Sequence, residues 1–131
     1  MIGIDTNVLI RYIVQDDPQQ SQKATALLEK QITTTSPGFV GRMVLCEIVW
    51  VLRRAYGYDK DIIINILKQI LMTRELTVEN SDCAWQALSE FQKGDADFTD
   101  YFLGSTNKAS GCEVTVTFDK KASLSPNFKL L

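Results

Sequence analysis

The chain has 131 residues, of which 45% are hydrophobic, so it is long enough for one domain and too apolar to be disordered. It contains no histidine, which excludes Ser-His-Asp and Cys-His catalysis, histidine general bases and His-ligated zinc. Because the net charge is −2, a polyanionic substrate would need local basic patches or bound metal rather than attraction to the whole chain.

The cysteines indicate the redox environment. Cys46, Cys83 and Cys112 are odd in number, lie far apart and stand among apolar neighbours. We therefore expect buried free thiols in a reducing cytosol, and hence a cytoplasmic protein. No basic segment precedes a long apolar stretch, so the sequence predicts neither a signal peptide nor a membrane span.

The first residues predict a strand followed by a helix. The β-branched Ile2 and Ile4 favour a short, buried, central strand, and the apolar run stops at Asp5. An apolar pattern at helical spacing then covers residues 8–14. We expect Asp5 at the carboxyl end of the first strand, the edge where open α/β sheets bind ligands. The alternative is that Asp5 is only a turn residue.

A second helix and a second strand come next. Asp17 and Pro18 are typical of an N-cap and a first helical residue, and Phe39 and Val40 indicate a short strand. Residues 43–52 are then nine apolar residues and one acid, Glu47. A helix that is apolar on nearly all sides is largely buried.

Glu47 therefore needs an explanation. A carboxylate in an apolar setting is costly unless it is protonated, ion-paired, metal-bound or facing a cleft. The structural alternative is that Glu47 pairs with Arg42 or caps a backbone group.

The middle of the chain predicts a helix over residues 59–72, a strand over 76–79 and a helix that Ser81 caps and Gly94 ends. The apolar stripes of helices 43–55 and 59–72 are wider than one small sheet would cover, which favours a dimer or partner face. We expect both Trp50 and Trp85 in the core.

The last helix opens with two acids. Asp97 and Asp100 have the spacing of a capping box, and capping accounts for one of them better than for both. The clearest strand of the chain covers residues 114–118 and ends at Asp119, and residues 128–131 form a short edge strand.

Strands that alternate with helices predict a parallel sheet covered on both faces. Asp5 and Asp119 then lie at carboxyl ends of strands, while Glu47 and Asp100 lie near the starts of helices on the same edge. Because like charges in close quarters repel, a bound divalent cation is the simplest explanation of this convergence. Carboxylates without histidine or thiolate favour hard ions such as Mg²⁺ or Mn²⁺.

Four segments carry a resemblance to a known family. They are Ile-Asp-Thr-Asn-Val-Leu at 4–9, Glu47 in its helix, Ala-Asp-Phe-Thr-Asp-Tyr-Phe-Leu-Gly at 96–104 and Thr-Val-Thr-Phe-Asp-Lys-Lys at 115–121. In this order and spacing the chain resembles the PIN-domain family and, within it, the VapC-like toxin ribonucleases of toxin-antitoxin pairs. The resemblance implies one domain over residues 1–131, an α/β fold built as a three-layer α/β/α sandwich with a short central parallel sheet.

The resemblance also implies a site and a reaction. Its metal ligands would be Asp5, Glu47, Asp100 and Asp119, with Asp97 as an extra acid and with Asn7 and Thr117 in support. It implies a Mg²⁺- or Mn²⁺-dependent endoribonuclease in which a metal-activated water cleaves the RNA phosphodiester. The run Tyr101–Gly104 departs from the smaller, alanine-rich residues that are usual in such families.

The partners follow from the same reading. Contacts to the RNA backbone are expected from Arg42, Arg53, Arg54 or Lys108, whose alternative reading is solvated surface charge. The expected protein partners are an antitoxin protein and a second copy of this chain, which would form a homodimer. No membrane association is expected.

Two other protein classes and one non-enzymatic function are alternatives to a ribonuclease. A haloacid-dehalogenase-like phosphatase requires a second aspartate two residues after the first, where Asn7 stands. A response-receiver domain requires an aspartate on a middle strand and an acidic pair after the first strand, and neither is evident. A catalytically weak PIN module that binds RNA or a protein partner is the non-enzymatic alternative.

Overall fold

The computed structural model describes residues 1–131, which divide into two compact units, Met1–Glu79 and Asn80–Leu131. The elements of the first unit are β1 (Ile2–Gly3), α1 (Thr6–Val14), α2 (Pro18–Ala26), a π-helical turn (Leu27–Gln31), β2 (Gly38–Val40), α3 (Arg42–Arg54), α4 (Lys60–Met72) and β3 (Leu76–Val78). Those of the second are α5 (Ser81–Lys93), α6 (Phe98–Ala109), β4 (Thr115–Thr117), a 3₁₀ turn (Ala122–Leu124) and β5 (Phe128–Leu130). No helix is long and apolar enough to span a membrane.

Local sequence signals account for most of these bounds. The Asp17 carboxylate accepts a hydrogen bond from the Gln20 N–H at 3.0 Å, and Pro18 is the first residue of α2, as predicted. The prediction that Ser81 caps α5 is wrong by one residue. Asn80 is the N-cap, with φ +52°, and asparagine tolerates this left-handed conformation better than most residues.

The three strands of the first unit form a parallel sheet in the order β1–β2–β3. The prediction that the first strand is central in its sheet is therefore wrong, because β2 pairs on both sides and β1 on one. The predicted burial of this strand holds for Ile4, which is 4% exposed, and is wrong for Ile2, which is 44% exposed. A two-residue edge strand leaves part of its apolar surface uncovered.

Parallel pairing brings the carboxyl ends of these strands to one edge of the sheet. Asp5 follows β1, α3 begins directly after β2, and Glu79 follows β3. The predicted position of Asp5, at the carboxyl end of the first strand and before a helix, is confirmed.

The second unit is built on the packing of α5 against α6. Phe98 lies between two other rings, with centroids 6.0 Å from Phe91 and 5.6 Å from Phe102. The Tyr101 hydroxyl accepts a hydrogen bond from the Ala96 N–H at 3.2 Å. Tyr101 and Phe102 are thus core residues, which explains why this chain carries large side chains in that run.

The strand β4 pairs in parallel with β5. β4 is shorter than expected, three residues rather than five, and Val116 at its centre is 57% exposed. Gly104 of α6 lies directly against the Phe128 ring of β5, so a β-carbon at this position would collide with the ring.

Three burial predictions are wrong. Trp50 is 60% exposed and Trp85 is 40% exposed, so neither belongs to the core. Cys112 is exposed as well, although Cys83 is buried, and none of the three cysteines forms a disulfide bond. For Trp50 the reason is helical phase: α3 buries Leu45, Ile48, Val49 and Leu52, and residue 50 lies on the opposite face.

Candidate acidic site

Three of the predicted acids lie together in the second unit. Asp97 is the N-cap of α6, Asp100 is the third residue of that helix, and Asp119 follows β4. Asp97 and Asp119 line one open pocket of about 400 Å³, which Asp95, Lys120 and Lys121 also line. Asp97 and Asp119 are exposed and Asp100 is half-buried.

Burial and like charge act on Asp100 in the same direction. Its pKa is raised above the usual aspartate value, first by burial and then by repulsion from Asp119 and from Asp97, while a hydrogen bond with the Asp97 backbone lowers it. The ionised form of Asp100 is therefore disfavoured where it stands. A cation bound among these carboxylates would reverse this penalty.

The capping prediction for this pair fails in one respect. Asp97 occupies the N-cap position, but its side chain makes no capping hydrogen bond. The side chain of Asp17 does make such a bond in α2, whereas that of Asp59, at the start of α4, does not. The Asp97 carboxylate is therefore available to bind a ligand. Because the Asp59 side chain also makes no capping bond, this feature alone does not identify Asp97 as a functional residue.

Asp119 has a structural role that the sequence did not reveal. Its Oδ1 accepts hydrogen bonds from the backbone N–H of Lys121 at 2.8 Å and of Ala122 at 3.0 Å. The Thr117 Oγ1 in turn accepts one from the Asp119 N–H at 3.0 Å. The two bonds to Oδ1 restrict the Asp119 carboxylate, and the bond to Thr117 holds the Asp119 backbone.

Asp5 and its neighbours lie in the first unit. Asp5 is exposed at the N-cap of α1, and its side chain makes no capping hydrogen bond. The next residue, Thr6, is 2% exposed and its Oγ1 has no hydrogen-bond partner. An unpaired buried hydroxyl costs roughly 1–3 kcal/mol, so a costly polar atom lies directly beside Asp5. Asn7 is exposed and lines a separate pocket of the first unit.

The burial expected for Glu47 is not found, and neither is the alternative pairing with Arg42. Its side chain is exposed, because residue 47 lies on the solvent face of α3 together with the exposed Met43 and Trp50. It forms no ion pair with Arg42. Glu47 is thus free to act as a ligand, but burial does not require it to be one.

The acid that contacts Arg42 is Glu79, which the sequence analysis missed. Its Oε1 accepts a hydrogen bond from the Arg42 backbone N–H at 2.8 Å, at the start of α3. A carboxylate at a helix N-terminus is favourable, so Glu79 has a sufficient structural role. The only sequence signal was its place at the end of a predicted strand.

The basic residues fall into two groups. The four predicted to contact RNA (Arg42, Arg53, Arg54 and Lys108) are all exposed, and none lines a pocket described here. Arg11 and Lys23, which were not singled out, line a pocket together with Asn7. No sequence motif marks Arg11 and Lys23, because the two helices that carry them meet only in the folded chain.

The fit of a metal ion can be tested on the donor set. No group of three or more Cys, Asp or Glu side chains is arranged closely enough to form a metal site. Within the second unit, however, Asp97, Asp100 and Asp119 offer only carboxylate oxygens, the donors that Mg²⁺ and Mn²⁺ prefer. By donor type, these three residues therefore suit a hard divalent cation. The convergence of Asp5, Glu47, Asp100 and Asp119 on a single ion stays a prediction.

Comparison with known proteins identifies one family. The family model of the PIN domain matches residues 2–124, and no curated protein matches the chain. The match, with six helices and small parallel sheets, confirms the predicted three-layer α/β/α fold class. The PIN domain is in general a nuclease fold that acts on nucleic acids with divalent metal ions.

Proposed function

Because the chain belongs to the PIN-domain family, we propose that it is a metal-dependent endoribonuclease that hydrolyses RNA phosphodiester bonds. The observation that carries this proposal is the acid cluster of Asp97, Asp100 and Asp119, in which burial and like charge raise the pKa of Asp100. The nearness of three carboxylates costs repulsion, which a bound Mg²⁺ or Mn²⁺ ion would relieve.

Each acid then has a role. Asp100 and Asp119 would hold the ion, with Asp97 as a third carboxylate, and Asp5 and Glu47 are proposed as further ligands. When bound, Mg²⁺ or Mn²⁺ lowers the pKa of a coordinated water and stabilises the leaving oxygen. Thr117 holds the Asp119 backbone through the Asp119 N–H, and Asn7 supports Asp5 in the turn that both share.

RNA contacts outside this centre are proposed for the exposed Arg42, Arg53 and Arg54 of α3 and for Lys108 in the last turn of α6. These side chains make no ion pair in the structure, so they are available for phosphate oxygens. Each such contact adds salt-dependent affinity without sequence preference.

Cleavage of RNA by the purified protein tests the proposal. Structured RNA should be cut in Mg²⁺ or Mn²⁺ and left intact in EDTA, and Asp119→Asn should abolish cutting while circular dichroism shows a folded protein. Glu79→Gln is the matched control, since Glu79 contacts a backbone N–H and not the acid cluster. Undiminished cleavage in EDTA would exclude the metal mechanism.

We further propose that the protein is the toxin of a cytoplasmic toxin-antitoxin pair. An apolar groove of about 370 Å³ in the first unit supports this, with Ile13, Leu28, Ile62 and Ile66 among its lining residues. An amphipathic helix of an antitoxin would insert its apolar face there and place a basic side chain against the acids.

The antitoxin proposal has a genomic and a biochemical test. A small DNA-binding protein should be encoded in the adjacent reading frame and should co-purify with this chain. Ile66→Asp should break the complex, whereas Leu124→Asp, which changes an 85% exposed leucine of the second unit, should leave it intact. A neighbouring gene product that fails to co-purify would contradict the pairing.

A homodimer is proposed from the solvent face of α3. Met43 is 81% exposed and Trp50 is 60% exposed on that face, and exposed apolar side chains that lie together are typical of a protein interface. Light scattering at micromolar concentration should give twice the chain mass for the wild type and for Trp85→Ser, and the single mass for Trp50→Ser. A strict wild-type monomer would rule the dimer out.

One observation favours a second function, a catalytically weak PIN module that binds RNA or a protein. No three acids are arranged as a complete metal site in the structure. This alternative predicts RNA binding that persists in EDTA, together with no cleavage of total RNA in any divalent ion.

A further inference from the structure

A second pocket of the first unit lies between α1 and α2 and has a volume of about 440 Å³. This is within the range of roughly 300–1,000 Å³ that is typical of ligand pockets. Its lining residues are Asn7, Val8, Arg11, Gln20, Lys23, Ala24 and Leu27. The lining thus includes two cations and two carboxamides but no carboxylate, in a chain whose net charge is −2.

The position of this pocket connects it to Asp5. Asp5 is the N-cap of α1, Asn7 is in the first turn of that helix, and Arg11 is four residues further on the same face. The pocket therefore begins at the helix turn that directly follows Asp5. A substrate bound at Asp5 would have this pocket as its neighbour.

Arg11 is held in place by a network of the first unit. Its Nε donates to the Gln20 Oε1 at 2.6 Å, and its Nη1 donates to the Asp16 Oδ1 at 3.2 Å and to the Tyr56 hydroxyl at 3.1 Å. The Tyr56 hydroxyl donates to the Asp16 Oδ2 at 2.7 Å. This leaves the Arg11 Nη2 and the Gln20 amide N–H groups as donors without a protein acceptor. A guanidinium fixed in this way is preorganised to donate hydrogen bonds to phosphate oxygens.

The remaining wall suits a base. Val8, Ala24 and Leu27 form an apolar surface, and the Asn7 and Gln20 amides lie beside it. Pockets for an extruded base hold it between aromatic or apolar side chains and bind its edge by hydrogen bonds, while cations contact the phosphate backbone.

We propose that the pocket between α1 and α2 is a nucleotide subsite that binds the RNA residue adjacent to the cleaved bond. Lys23 and Arg11 contact its phosphate, the apolar wall contacts its base, and Asn7 and Gln20 contact the base edge. Gln20, Asp16 and Tyr56 are positioning residues for Arg11. The proposal rests on the ribonuclease function and names the part of the chain that holds the substrate beside Asp5.

Binding of a short fluorescein-labelled single-stranded RNA, measured by fluorescence anisotropy in EDTA, tests the subsite without any cleavage. Lys23→Gln should weaken binding by about fivefold to tenfold. The logarithm of the binding constant should fall less steeply with the logarithm of the salt concentration, by roughly 0.7 in slope, the value of one phosphate contact on a single strand. Lys23→Arg should retain the affinity and the slope. Lys23 is exposed, so an unchanged melting temperature shows that the variants are folded.

Lys30→Gln is the matched control, because Lys30 is an exposed lysine of the same unit that does not line the pocket. It should leave affinity and slope unchanged. If Lys23→Gln binds as the wild type does, or if Lys30→Gln loses as much, the subsite is overturned while the ribonuclease function stands. If the wild type neither binds nor cleaves RNA, both proposals are overturned.

Discussion

Replacement of Asp100 by asparagine tests the acid cluster without any substrate. Asp97 and Asp100 are three residues apart at a helix start, so their β-carbons lie roughly 5–6 Å apart. At about 6 Å, two charges repel by roughly 0.7–1.4 kcal/mol at a dielectric constant of about 40–80, and physiological salt about halves this energy. Repulsion from Asp119 and the burial of the charge act in the same direction.

One effect opposes this gain. An acid in the first turn of a helix is worth roughly 0.3–1 kcal/mol through the helix dipole, and the amide loses that contribution. The expected net effect of Asp100→Asn at neutral pH, without metal, is a stabilisation of about 0.5–1 kcal/mol. For a chain of this size that corresponds to a rise in melting temperature of about 2–4 °C.

The pH dependence of folding stability predicts independently that Asp100→Asn is stabilising. Since the pKa of Asp100 is raised in the folded state, its ionised form destabilises the fold above that pKa, and this penalty disappears as the pH falls through it. The gain from Asp100→Asn should therefore be largest at neutral pH and shrink in acid. Mg²⁺ or Mn²⁺ at ten times its Kd should stabilise the wild type by about 1.4 kcal/mol and the variant by less.

Thermal melts of both proteins, in EDTA and in Mn²⁺, measure these quantities. Asp82→Asn is the control, because Asp82 lies in the first turn of α5 and outside the cluster of Asp97, Asp100 and Asp119. It should lower the melting temperature slightly or leave it unchanged. If Asp100→Asn melts below the wild type at neutral pH and Mn²⁺ does not move the wild type, the metal-site reasoning is refuted.

Three further predictions concern single side chains. Glu47→Gln should abolish RNA cleavage with a melting temperature within about 1 °C of the wild type, because residue 47 is exposed; wild-type turnover would exclude a ligand role. Gly104→Ala should destabilise by about 1–3 kcal/mol in urea unfolding, since its β-carbon meets the Phe128 ring, and an unchanged midpoint would contradict this packing. Tyr56→Phe removes the hydroxyl between Arg11 and Asp16 and should lower the melting temperature slightly; no loss would show that the network is not stabilising.

The sequence by itself determined the elements and their order. Asp17 with Pro18 marked the start of α2, Gly94 marked the end of α5, and the alternation of strands with helices gave parallel pairing. It also placed Asp5 after the first strand. These features depend on residues within a few positions of one another, through capping groups and the period of the apolar pattern, so a linear reading reaches them.

Tertiary structure alone decided which side chains meet and which stay exposed. The phase of α3 against its neighbours put Glu47 and Trp50 in solvent, although their segment reads as apolar throughout. Packing also joined Glu79 to the Arg42 N–H across 37 positions, and Arg11 to Tyr56 across 45. No local pattern encodes such pairs, because their energy depends on contacts that exist only once distant segments have packed.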